Sequence, residues 1–124
     1  MPILIITVVL VGLELLWTSA TMKSTNSVVS AVQGTPMHIR IVPAVCAYAL
    51  MIAAIWFFAV EPSRSLADAA SRGAFLGLVI NGVYDMTNYA VFENYSIEFA
   101  ITDIIAGTAM FAAAAAAPML AVLD

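Results

Sequence analysis

The chain has 124 residues, enough for one domain, and 64% of them are hydrophobic while only 10% are charged. A soluble domain of this length cannot bury so much apolar surface, so the composition calls for a membrane as solvent. A net charge of −4 leaves no basic patch to meet phosphates and excludes nucleic acid as a partner; the lone cysteine, Cys46, excludes a disulfide framework or a cysteine metal cluster.

Four stretches reach the ~20 apolar residues that a bilayer core of ~30 Å demands of a helix. The first runs from near Ile3 to Ala20. Met1-Pro2 leads into it with no basic n-region and Glu14 interrupts it, so it reads as a retained transmembrane helix rather than a signal peptide. In the loop that follows, Thr21 to Arg40, residues Asn26 to Gln33 can form a short interfacial helix that Gly34 and Pro36 stop. The second span, about Ile41 to Val60, tolerates Pro43 in its first turn and is closed by Glu61-Pro62. Ser65, three residues before Asp68, resembles a capping box; the apolar part of this third helix runs from Gly73 to Phe92, so its start projects from the membrane. The fourth span, about 97–118, begins after Ser96 as N-cap, with Glu98 favoured by the helix dipole in the first turn. It passes through Ala112 to Ala117, and Pro118 is expected to kink or fray its end.

The expected fold class is therefore all-α: a single multi-pass integral membrane domain over residues 1–124, built as a bundle of four transmembrane helices with a short interfacial helix in the first loop. Lys23 and Arg40 fall on one side of it and Arg64 and Arg72 on the other, so the positive-inside count is tied.

Three acids lie inside the apolar spans. Glu14 is six residues before Ala20, Asp85 seven before Phe92, and Asp103 six after Ile97. Antiparallel threading at 1.5 Å per residue brings all three to one depth within about a turn. A carboxylate at the helix centre costs roughly 2.5 to 3.5 kcal/mol, less near the interface, so three in one layer are expected to face each other, water or a ligand. Clustered acids are expected to raise each other's pKa, so that at least one can be protonated at neutral pH.

The faces agree with that depth. Gly73, Gly77, Asn81, Asp85 and Asn88 form one stripe on the third helix; Gly107 shares a face with Asp103 on the fourth. The glycines Gly73, Gly77 and Gly107 suit close helix approach, and Asn side chains bond across such a contact. The candidates for the polar or ion-binding layer are Glu14, Asp85, Asp103, Asn88, Asn81, Tyr84 and Thr102. The same acids can instead only fix helix register, bonded to Asn88, Tyr84, Thr87 or Thr102 or paired with Arg40.

Other chemistry is thinner. His38 stands alone in the first loop, no serine has a histidine partner, and no glycine-rich phosphate loop occurs. No catalytic set, metal site or cofactor is read here, and the catalytic reading rests on the acids alone. Trp17, Trp56, Tyr89 and Tyr95 lie toward span ends as aromatic-belt anchors. The functional expectation is a small membrane protein that binds or moves a proton, cation or small polar solute, with lipid around it and a homo-oligomer or larger membrane complex as its setting. The alternative is a non-catalytic accessory subunit of such a complex.

The run Gly73 to Ala90, which contains Tyr84-Asp85-Met86-Thr87-Asn88, resembles a motif of the small predicted membrane protein family catalogued as domain of unknown function 2177. Thr102-Asp103 with Gly107-Thr108, and Leu13-Glu14-Leu15-Leu16-Trp17, resemble its other two motifs, with Glu14 where Asp is more usual. Asn81 stands where that family commonly has an aromatic residue, and Ala106 where it often has Trp. The resemblance covers nearly the whole chain and implies a four-helix membrane protein without implying a reaction.

Overall fold

The computed structural model describes residues 1–123, with side chains through Ala121. It contains four helices and no strand among the described residues: α1 (Pro2–Gln33), α2 (Ile41–Ala54) running without a break into a π-helical segment (Ile55–Val60), α3 (Leu66–Val91) and α4 (Ile97–Leu123). Three of the helices, Pro2–Gln33, Ile41–Val60 and Ile97–Ala121, are long and apolar enough to cross a membrane. The chain is thus a helical membrane bundle. At 26 residues and about 1.5 Å per residue, α3 has the length as well; Asp68, Arg72, Asn81, Asp85 and Asn88 are what lower its hydropathy.

The short helix expected over Asn26 to Gln33 is not a separate element. It is the end of α1, which continues unbroken for 32 residues. Thr21 to Thr25 look like a loop by hydropathy but contain no glycine or proline, and the Thr21 hydroxyl donates to the Trp17 carbonyl one turn back, at 2.8 Å. At about 48 Å, α1 outruns a ~30 Å hydrocarbon core. It ends where Gly34 takes a left-handed φ of 79° and its N–H meets the Ser30 carbonyl.

The other ends also follow local chemistry. Ser65 accepts from the Asp68 N–H at 3.1 Å, while the Asp68 carboxylate takes the Arg64 N–H and the Arg72 guanidinium. Ser96 caps α4 through the Phe99 N–H. Pro118 does not end α4, which continues to Leu123.

The helix α4 is the hub. It packs most extensively on α3 and also on α1 and the π-helical segment. Small residues allow this approach. A Cβ at Gly73 would stand 2.6 Å from both the Ala115 Cβ and the Phe111 carbonyl; one at Gly77 would stand 2.7 Å from the Gly107 carbonyl. The apolar core joins Ile6 and Leu10 of α1, Ile55, Ala59 and Val60 of the π-helical segment, and Phe111, Ala114 and Ala115 of α4. It fills the half of the bundle that holds the chain termini. No residue of Ile41–Ala54 in α2 is fully buried, though Tyr48, Met51 and Ile52 pack partly buried against the core. The π turn, whose register shows in the Glu61 N–H bonding the Trp56 carbonyl at 2.8 Å, is where that span enters the core. In the other half α1 and α3 make little or no direct contact, and a polar gap opens between them.

Candidate functional site

Asp85 is the buried polar residue at that gap, with no exposed surface. Its neighbours follow from the turn between α3 and α4. The chain leaves α3 at Val91 and re-enters α4 at Ile97, so Asp85 and Asp103 stand side by side on antiparallel helices. Between them Tyr95 folds back over the carboxylate, and its hydroxyl donates to Asp85 Oδ1 at 2.7 Å. Asp85 Oδ2 is buried and has no hydrogen-bond partner among the described residues. The Asp103 carboxyl adjoins Asp85, and Glu14 of α1 faces Asp103 from its other side. Asp103 is therefore the middle member of a row of three.

Among the described residues no Lys or Arg forms an ion pair with the row. The ion pair among the described residues is Arg72 with Asp68, 3.0 Å apart on the surface of α3, and Arg40 is exposed. There the Arg72 and Arg64 contacts hold the Asp68 carboxyl below its usual range. Tyr95, in the turn, is shifted the other way. Burial first, and then the hydrogen bond to Asp85, hold its phenol above the ordinary range, with Asn88 at the hydroxyl opposing them. Tyr95 thus stays a hydrogen-bond donor throughout the neutral range.

Two clefts meet at this row. The inner one, about 190 Å³, lies between α1 and the α3–α4 pair and is lined by Glu14, Asp103, Trp17, Tyr84, Tyr95 and Phe99, with threonines of α1 around them. The outer one, about 560 Å³, shares Trp17, Phe99 and Asp103 and reaches Lys23 and Glu98 toward the loop side. The long α1 forms one wall of both, and Asn94 of the α3–α4 turn donates to the Ala31 carbonyl near its end.

The residues singled out from sequence divide into three groups. Glu14, Asp85 and Asp103 come together, with Tyr84 on the inner cleft and Thr102 on the outer one. Asn88 does not reach Asp85 as a hydrogen-bond partner; it lies at the Tyr95 hydroxyl. Asn81 lies outside the row: its amide donates to the Gly77 carbonyl at 2.8 Å and packs on Gly107. Gly73, Gly77 and Gly107 line the α3–α4 contact. The residue that sequence reasoning missed is Tyr95. A five-residue turn between two acid-bearing helices offers few side chains able to cover them, and that shortness was the available signal.

The chain matches the family described as Predicted membrane protein (DUF2177) over residues 1–120, nearly its whole length, and belongs to it. Comparison with curated proteins and with solved structures finds no match.

Proposed function

We propose that this member of the DUF2177 family binds a proton, exchangeable for a cation, in the row Glu14, Asp103 and Asp85, with all four helices crossing the bilayer. The observation that carries the reading is the Asp85 Oδ2 atom, fully buried, without a hydrogen-bond partner among the described residues, and beside a second carboxyl. An ionised carboxylate left so costs several kcal/mol, of the order of the penalty for a buried unpaired charge. Two adjacent carboxylates add repulsion. A proton shared between Asp85 Oδ2 and Asp103 removes both costs at once, because it supplies the missing donor and one unit of positive charge. Tyr95 satisfies the other oxygen, and the outer cleft gives the row a path to water.

A purely register-fixing role would be served by the neutral amide. The test is therefore flux in proteoliposomes carrying a pH-sensitive dye, comparing wild type with Asp85→Asn. The proposal expects folded variant protein with lost proton or cation flux; equal flux in the two proteins would contradict movement through Asp85.

A second reading, an accessory subunit of a larger membrane complex, draws on α2, where no residue of Ile41–Ala54 is fully buried and Ile41, Val42, Val45 and Leu50 are exposed. A stoichiometric large partner recovered in mild detergent would favour it.

A further inference from the structure

We propose that the outer cleft, between α1 and the start of α4, seats the headgroup of a zwitterionic phospholipid. One wall carries Lys23, Ser24 and Ser27 of α1, and the other carries Glu98 and Asp103 of α4. Lys23 lies about 32 Å along α1 from Pro2, just past a ~30 Å hydrocarbon core, and Glu98 lies in the first turn of α4. The cleft therefore opens at headgroup depth. The surface beneath it is a separate observation that points to the same ligand. On α1, Leu16 stands seven residues before Lys23 on the same face and is 71% exposed. On α4, Ile101 and Ile105 follow Glu98 at i+3 and i+7 and are 50% and 65% exposed. Seven helical residues drop about 10 Å toward the bilayer centre. Both walls thus pass from a charged residue at the mouth to uncovered aliphatic surface below, which is the profile of a phospholipid.

The charges of the walls choose the headgroup. Lys23 and the serine hydroxyls are donors for a phosphate, and Ser96 adds one more O–H, since its oxygen already accepts the Phe99 N–H. Glu98 and Asp103 accept an ammonium group, with the faces of Trp17 and Phe99 beside them. Fully ionised, one cation stands against two acids; with the row's proton on Asp103, one stands against one. In neither state is there an excess of positive charge to hold an anionic headgroup or free phosphate. A bare metal cation is opposed by Lys23. A zwitterion meets both signs at once. The volume of about 560 Å³ falls within the ~300 to 1,000 Å³ of pockets that enclose small organic ligands. The site stands whether or not Asp103 shares a proton, and a headgroup is itself hydrated, so its presence leaves the row in contact with water.

The experiment is native mass spectrometry of the full-length protein, released from detergent micelles doped with equal amounts of phosphatidylethanolamine and phosphatidylglycerol of identical chains. Phosphatidylethanolamine adducts are expected to exceed phosphatidylglycerol adducts, and to fall about fivefold in Lys23→Ala, the weight of one exposed ion pair. Glu98→Lys should reverse the preference, because two cations then stand against Asp103. Lys23 and Glu98 are exposed, so neither change disturbs the core. Arg40→Ala removes an exposed charge from the same side of the membrane without touching the cleft, and should change nothing. Phosphatidylglycerol retained as well as phosphatidylethanolamine, a preference unaltered in Glu98→Lys, or an equal loss in Arg40→Ala and Lys23→Ala would overturn the headgroup assignment. Soluble phosphoethanolamine should leave the lipid adduct in place; displacement by it would show that the chains contribute nothing and overturn the lipid as occupant.

Discussion

The Tyr95 hydroxyl donates to Asp85 Oδ1 at 2.7 Å, from a turn ten residues further along the chain. This bond ties the α3–α4 turn to a buried carboxyl and leaves the second oxygen, Oδ2, without a hydrogen-bond partner among the described residues. Tyr95→Phe keeps the ring against Phe99 but strips Oδ1 of its donor. A loss of about 1 to 3 kcal/mol is expected, the cost of one unsatisfied buried acceptor, read as a lower unfolding temperature in detergent. Unchanged stability would mean that the bond carries no weight.

The α3–α4 contact gives a second test. A leucine at Gly77 would drive into the Gly107 carbonyl and the Phe111 side chain, whose Cβ would already be 2.7 Å from an added Cβ. Gly77→Leu should cost roughly 1 to 3 kcal/mol or more through overpacking. Leu78 is 47% exposed and faces away from the contact, so Leu78→Ala serves as the control. A Gly77→Leu protein as stable as wild type would contradict the packing.

The start of α3 responds to pH in a defined direction. The Asp68 carboxyl is held below its ordinary range by Arg72 and Arg64, so its contribution is fully present above the normal aspartate pKa and is lost as pH falls through the lowered one. Amide exchange in the first turn of α3 should speed up on acidification over that window. Asp68→Asn should remove most of the dependence.

Much of this fold was legible from local chemistry. Gly34, Ser65 and Ser96 mark helix ends by capping, and the depth of Asp103 can be counted from Ser96, whereas Ala20, the end from which Glu14 is counted in the sequence, lies inside α1. The continuity of α1 through Thr21 to Thr25 was not legible, because hydropathy scores polar residues as loop although their hydroxyls can bond within the helix. The π turn at Ile55–Val60 has no residue signature; it is set by packing on α1, α3 and α4. The glycine spacing on α3 pointed to a close contact, but only the fold says that Phe111, Ala115 and Gly107 fill it. Tyr95 read as a belt aromatic because a turn's direction depends on tertiary structure.

The shared proton between Asp85 and Asp103 is tested most directly by infrared spectroscopy of the protein in lipid at neutral pH. The account predicts a protonated-carboxyl C=O band that shifts in D₂O and vanishes or moves in both Asp85→Asn and Asp103→Asn. A wild-type spectrum with no such band, or one unchanged by both substitutions, would contradict it.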